Sequence, residues 1–199
     1  MPSDDLEVIA FDSAGEFERW LGEHCESSPG IWLKLRKKSP GVVALDYKQA
    51  LDLALCHGWI DGQVGRRDEH SYRQRFTPRR ARSPWSKNNV AAVERLAAEG
   101  RMRPAGLEAV ARAKADGRWQ ASYEGQAKIE VPADLAAALE SEPRAKANFQ
   151  LLTSQNRYAV LYRIHEAKRG DTRARRIEKF VAMLARGETL HPQKRKLLG

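Results

Sequence analysis

Residues 55–89 read LCHGWIDGQVGRRDEHSYRQRFTPRRARSPWSKNN. They are the most informative stretch for the fold, because they join two helical patterns through two segments that resemble strands. Residues 60–66 and 71–77 are predicted to be the two arms of a β-hairpin, because Tyr72 and Phe76 alternate with Arg73 and Arg75 in the second segment. Gly58 stands where a helix that precedes the hairpin would end, and Pro84 lies near the start of the next helix. This stretch therefore predicts a helix, a hairpin and a second helix in succession.

The flanking sequence extends this pattern to an α+β fold, in which a small antiparallel sheet packs with helices and a helical C-terminal part follows. Alternation at 31–35 adds a strand, and beyond Pro132 the apolar residues recur at helical spacing. We expect a mixed α/β body over 1–120, a helical region packed on that body over 121–190, and a frayed basic tail over 191–199.

The composition favours an anionic partner. The formal net charge is +9, and 31% of the residues are charged, which favours nucleic acid, phosphorylated metabolites or acidic lipid surfaces as partners. The acidic N-terminus and the lack of an apolar run of roughly 20 residues predict a cytoplasmic protein without a membrane span. The composition indicates no oligomeric state.

The sequence gives no sign of a metal or cofactor site. Cys25 and Cys56 each lack a CxxC partner, which argues against a disulfide framework or a zinc site. The five histidines have no ligand-like spacing, and the sequence contains no nucleotide-binding fingerprint. We therefore predict neither a metal nor a cofactor.

Two arginines of the second hairpin arm are the best candidates for anion binding. Arg73 and Arg75 are two residues apart on a predicted strand and should therefore project from one face. Two guanidinium groups at that spacing can hold a phosphate or a carboxylate through bidentate hydrogen bonds. The alternative is a solvated basic face, but the further basic residues over 79–87 make the concentration of like charge unusual.

These arginines predict a cleft in which aromatic side chains supply area and cations orient the ligand. Its predicted ligand-binding residues are Trp59, Gln63, Arg73, Arg75, Trp85, Asn88, Arg157, Arg173 and Arg176. Trp85 and Asn88 open a helix, whose N-terminal N–H groups attract anions. The alternatives are that Ser83 or Ser86 simply caps this helix and that Trp85 is a hydrophobic staple or a core residue. The three arginines of the C-terminal helices are equally well explained by internal salt bridges.

His57 and Asp61 are the candidates for acid–base chemistry, since they lie four residues apart beside the predicted cleft. His57 falls in the last turn of a helix, where the dipole favours the protonated imidazole. The alternatives are a capping role for His57 and turn chemistry for Asp61. The same dipole raises the pKa of the Cys56 thiol, so we interpret Cys56 as a buried structural residue.

Four motifs occur together and in order: CHGWIDGQ, RFTPRR, SPWSKNN and AKRGDTRARRIEKFV. In this arrangement the chain resembles the YdeI/OmpD-associated family, often labelled bacteriocin-protection proteins. That label describes a phenotype. The resemblance implies a role in protection against peptide antimicrobials or envelope stress, and it brings no catalytic residues with it.

Three functions stay open at this point. The first is a protein that binds a small anionic or amphiphilic ligand in the arginine and tryptophan cleft. The second is a nucleic-acid-binding protein that uses the basic strip Arg66–Lys87, with Tyr72, Phe76 and Trp85 stacking on bases. The third is a hydrolase or transferase in which His57 or Asp61 acts as the base.

Overall fold

The computed structural model describes residues 6–37, 44–125 and 129–198. The chain divides into two compact units, Met1–Tyr123 and Glu124–Gly199. The first unit combines a sheet with helices and the second is helical, so the predicted α+β class is confirmed. In the described ranges no helix is both long enough and apolar enough to cross a membrane.

The described part of the first unit contains four strands and four helices. In chain order these are β1 Val8–Ile9, α1 Ala14–His24, β2 Ile31–Arg36, α2 Tyr47–Cys56, β3 Trp59–Arg67, β4 Ser71–Pro78, α3 Lys87–Ala98 and α4 Pro104–Ala115. The predicted hairpin is confirmed as β3 and β4, and its register shifts twice along β3.

The four strands form one sheet in the order β1-β2-β4-β3. β4 pairs antiparallel with both β2 and β3, whereas β1 pairs parallel with β2. The sheet is therefore mixed where the sequence predicted an antiparallel one. The reason is α1, which carries the chain back across the sheet so that β2 runs in the same direction as β1.

One face of the sheet forms the main core of the first unit. Leu33 of β2 and Phe76 of β4 are fully buried against Phe17 and Leu21 of α1. Burying each of these side chains contributes about 1.5–3 kcal/mol. The alternation predicted for these strands is thus realised with the apolar residues under the helices.

The helix ends follow the sequence closely. Ser13 caps α1 by accepting a hydrogen bond from the Glu16 backbone N–H. Gly58 follows α2 with a φ of 75°, a conformation that suits glycine because it lacks a Cβ. Helix α3 begins at Lys87 and is capped by Ser86, so it starts slightly later than Pro84 indicates.

Helix α4 packs unusually close to the end of α2. A Cβ on Gly106 would lie 2.1 Å from the carbonyl oxygen of Cys56, and the Arg103 N–H donates to that same oxygen. Cys56 is buried in a second core with Trp85 and Leu96. Burial also raises the pKa of the Cys56 thiol, in agreement with the structural role that the sequence predicts.

The second unit contains four helices in its described residues: α5 Ala133–Glu140, α6 Pro143–Leu151, α7 Ser154–Glu166 and α8 Gly170–Ala185. Their apolar faces meet in one core that includes Phe149, Leu161 and Phe180. The predicted helical C-terminal part is confirmed.

The last residues of the second unit are held in place, although the sequence indicates a frayed tail. Buried Asn148 accepts a hydrogen bond from the Leu198 N–H and donates one to the Leu198 carbonyl. Asn156 accepts from the His191 N–H and donates to the side chain of Gln193. Two buried amides in α6 and α7 therefore anchor residues 191–198. The hydrophobic periodicity of the sequence does not reveal these hydrogen bonds.

Two helical glycines provide a test of the packing between α2 and α4. Gly106→Ala should lower the free energy of unfolding of the first unit by about 1–3 kcal/mol, because the new methyl group overlaps the Cys56 carbonyl. Gly22→Ala should instead raise it by about 0.5–1 kcal/mol, since no atom lies within 4 Å of the added Cβ.

Urea unfolding followed by tryptophan fluorescence measures both changes in the first unit alone, because all five tryptophans precede residue 124. Equal stability of the two variants would show that α4 does not approach α2 as described.

Candidate functional site

The strand arginines, Arg73 and Arg75, lie on the face of the sheet opposite the main core. In the register of β2 and β4, Arg73 pairs with Lys34 and Arg75 with Trp32. Neither arginine makes a hydrogen bond or ion pair with a described residue, and the Nε atom of Arg75 is buried. The predicted common face is therefore confirmed by the register, and its cations lack an acidic partner within the described ranges.

A pocket of about 310 Å³ lies beside Arg73. We call it the Trp32 pocket, and its walls include Trp32, Gln63, Arg66 and Arg73. Gly65 of β3 allows the Trp32 ring to lie against the strand, since a Cβ there would be 2.7 Å from the ring. The structure thus brings Gln63 and Arg73 together around a tryptophan that the sequence analysis did not select.

Trp32 was identifiable only in part from the sequence. The alternation of β2 places it on the same face as Lys34 and away from Leu33. Its position beside the strand arginines depends on the pairing of β2 with β4. These two strands are separated by α2 and β3, so the sequence carries no local signal for their register.

The two tryptophans that the sequence did select are core residues. Trp59 is 1% exposed, and its indole N–H donates to the Cys25 carbonyl at 2.9 Å. Trp85 is 2% exposed and is covered by the Arg79 guanidinium, which lies 3.6 Å from the ring centroid. Asn88 is exposed in the first turn of α3.

Asp61 belongs to a separate polar cluster. Its carboxylate accepts a hydrogen bond from the Tyr47 hydroxyl at 2.8 Å. Burial, followed by the charge of Asp61, raises the pKa of Tyr47. Burial also lowers the pKa of Arg79 to about 10, with Tyr123 and Asp61 opposing that shift. Asp61 therefore already has a hydrogen-bond partner, and Arg79 and Tyr47 are the neighbours that sequence spacing did not reveal.

His57 faces a different region, which we call the His57 cleft. This cleft has a volume of about 500 Å³, and its walls include Glu18 and Cys25 as well as Arg103 and Ala105 at the start of α4. His57 is 6% exposed, and its Nε2 atom has no hydrogen-bond partner among the described residues. No hydrogen bond joins His57 to Asp61 in the described part of the chain.

The protonation state expected for His57 from the helix dipole is wrong. Burial, followed by the charge of Arg103, lowers the pKa of His57 below its ordinary value of 6.5. A helix C-terminus favours the imidazolium by about 0.3–1 kcal/mol, which is too little to offset the loss of water around a buried charge. His57 is therefore a neutral imidazole at neutral pH.

The three predicted arginines of the second unit have internal partners. Arg173 donates two hydrogen bonds to Asp134 and a third to the Ile164 carbonyl. Arg176 donates to the Arg163 carbonyl and lies 3.7 Å from Glu166. The guanidinium of Arg157 lies 4.5 Å from the centroid of the Phe149 ring. Arg173 and Arg176 therefore form the internal salt bridges that the sequence analysis gave as the alternative to ligand binding.

The lowered pKa of His57 has a consequence for stability. As the pH falls, His57 in the unfolded chain takes up a proton near pH 6.5 while the His57 imidazole in the folded protein stays neutral, so the free energy of unfolding decreases. The decrease begins near pH 6.5 and ends below the folded pKa. His57→Gln should remove this part of the pH dependence, as measured by urea unfolding with tryptophan fluorescence between about pH 8 and pH 5.

His70→Gln is the matched control, because the His70 side chain is 87% exposed and its removal should leave the dependence intact. An unchanged pH dependence in His57→Gln would contradict the burial of a neutral imidazole.

Comparisons with known proteins match two families, and the two matched ranges lie on either side of the boundary between the two units. Residues 9–109, just over half of the chain, match the model of a family described as Domain of unknown function (DUF8412). Residues 128–187 match the family described as Bacteriocin-protection, YdeI or OmpD-Associated. No curated protein and no solved structure matches.

The second match confirms the family that the motifs suggest, although it covers α5 to α8 and not the N-terminal motifs. The first match covers those motifs, from β1 into α4. The chain therefore belongs to the DUF8412 family through 9–109, and its residues 128–187 are similar to the YdeI/OmpD-associated, bacteriocin-protection family.

Proposed function

We propose that the first unit binds a small anionic or amphiphilic molecule through the strand arginines and the Trp32 pocket. The main support is that Arg73 and Arg75 share one face of the sheet and have no acidic partner among the described residues. A buried guanidinium nitrogen without a partner carries a desolvation cost of about 1–3 kcal/mol. A bound anion would offset that cost.

The spacing of these groups suits an anionic head. Residues two apart on a strand are separated by about 6.6–6.8 Å, so the two guanidinium forks can converge on one phosphate or hold two carboxylates. The side chain of Arg75 packs under Gly62, where a Cβ would lie 3.4 Å from it. Such packing limits the conformations of the arginine and reduces the entropy lost on binding.

The Trp32 pocket adds a place for the rest of the ligand. Its volume of about 310 Å³ lies at the lower end of the range of roughly 300–1,000 Å³ for ligand pockets. The Trp32 ring and exposed Val64 supply apolar area, and Gln63 supplies a donor and an acceptor. An anionic head with a short apolar part therefore suits this region better than a large polyanion.

The nucleic-acid alternative has weaker support. Of its three stacking candidates, Phe76 and Trp85 are buried in the cores, so their rings are not available to bases. Single-stranded nucleic acid binding relies on exposed aromatic faces in addition to positive charge. The enzyme alternative has less support still, because Asp61 bonds to Tyr47 and His57 lines a different cleft.

We further propose that this binding serves the protective role in the family description. The ligand would be a small anionic molecule in the cell and not the antimicrobial peptide itself. The support is electrostatic: the net charge of +9 and the strand arginines disfavour a cationic peptide at this face.

Calorimetric titration with pyrophosphate and with hexyl phosphate tests the ligand class at physiological salt. Both should bind. The binding free energy divided by the charge of the ligand should be larger for hexyl phosphate, because its alkyl chain reaches the Trp32 pocket. Arg73→Gln and Arg75→Gln should each weaken binding by about tenfold or more, since each loses charge-assisted hydrogen bonds. Arg82→Gln, an exposed position after β4, is the matched control and should bind as the unaltered protein does.

Unchanged affinity in Arg73→Gln and Arg75→Gln would contradict the placement of the site. Binding of single-stranded oligonucleotides that is tighter than that of either phosphate and falls steeply with salt would instead support the nucleic-acid alternative.

A further inference from the structure

The wall of the His57 cleft contains a buried polar atom that no described residue pairs with. His57 is 6% exposed, and its Nε2 atom has no hydrogen-bond partner among the described residues. About nine in ten buried polar groups in proteins are paired, and an unpaired one costs about 1–3 kcal/mol. A ligand in the cleft would supply the missing partner.

The start of α4 lies in the wall of the same cleft through Arg103, Pro104 and Ala105. Arg103 is the N-cap residue, and no side chain caps this helix. The N–H groups of a first turn have no intrahelical acceptor, and the dipole places partial positive charge there. Pro104 has no N–H, and the Arg103 N–H donates to the Cys56 carbonyl. An oxyanion at this point would therefore accept hydrogen bonds from the Ala105 N–H and from His57.

The charges in the cleft indicate how much negative charge the ligand carries. Arg103 forms an ion pair with Glu18 at 2.8 Å, and the remaining charged residues in the walls are Arg19 and Glu26. The four formal charges cancel, which leaves the helix dipole and the N–H of His57. Burial raises the pKa of the Cys25 thiol, so this side chain adds no negative charge. The balance favours a monoanion over a polyanion.

The size of the cleft indicates that the ligand has a body as well as an anionic group. A volume of about 500 Å³ exceeds what a bare inorganic anion fills. Gly22 of α1 also lies in the wall, and no atom lies within 4 Å of the position where its Cβ would be. A small carboxylic acid with an uncharged body therefore matches both the charge and the space.

We propose that the His57 cleft is a second binding site, in which a small monocarboxylate accepts hydrogen bonds from His57 Nε2–H and from the first turn of α4. Arg103 contributes by charge, and Glu18 competes with the ligand for Arg103. This site is independent of the strand arginines and does not rest on the function proposed for them.

Imidazole NMR of the whole chain tests the proposal with benzoate as the probe at pH 7. The His57 signals should shift and saturate as benzoate is added, and the pKa of His57 should rise by about one pH unit in its presence. Sodium chloride at the same ionic strength should not reproduce the change. Exposed His70 is the internal control for general salt effects.

Three variants should affect the affinity for benzoate in three different ways. Arg103→Gln should weaken benzoate binding by about tenfold. Glu18→Gln should tighten it by about twofold to fivefold, because it removes the competing carboxylate. Arg101→Gln, an exposed arginine that pairs with Glu99 and is not part of the cleft wall, should leave it unchanged.

A His57 response no larger than that of His70 would overturn the proposal. So would a Glu18→Gln variant that binds more weakly than the unaltered protein, because the ion pair would then support the site instead of competing with it. Neither result would bear on the strand arginines, which lie on the opposite face of the sheet from the main core and are tested by their own variants.

Discussion

The pairing of β4 with β2 is the interaction on which the first unit depends. It sets Phe76 opposite Ile31 and Gln74 opposite Leu33, so Phe76 joins the core while Arg73 and Arg75 face the other way. A slip of one residue would exchange the two faces. It would bury two arginines under α1 and expose Phe76, at a cost far above the few kcal/mol by which a domain is stable. The apolar core therefore fixes the face on which the cations lie.

The arginines predicted as ligand-binding differ in whether their guanidinium donors have hydrogen-bond partners. Arg173 donates three hydrogen bonds within the second unit. These bonds connect α8 to α5 and α7, so the role of Arg173 is structural. Arg73 and Arg75 have no partner among the described residues. Residues of the same type, all predicted as ligand-binding, thus divide by their surroundings. Arg73 and Arg75 are the better candidates, because they share one face of the sheet and their guanidinium donors are not engaged by a described residue.

His57 illustrates the competition between two electrostatic effects. The C-terminal end of α2 favours a proton on the imidazole, and burial beside Arg103 opposes it. Burial prevails because the dipole acts through partial charges that water and neighbouring groups screen, whereas desolvation penalises the whole charge of the imidazolium. A neutral imidazole can donate one hydrogen bond without adding a full positive charge to the cleft.

Most elements of the fold could be predicted from the sequence, which also predicts an anionic partner. Helical periodicity, strand alternation, Ser13 and Gly58 are local signals, and the motifs identified the family because they occur together in order. Which residues meet depends on the tertiary structure. Strand register placed Trp32 beside the arginines, and core packing removed Trp59 and Trp85 from the surface. The approach of α4 to the end of α2 placed Arg103 beside His57. These outcomes depend on contacts between residues that are distant in sequence, and the chain order carries no local pattern for them.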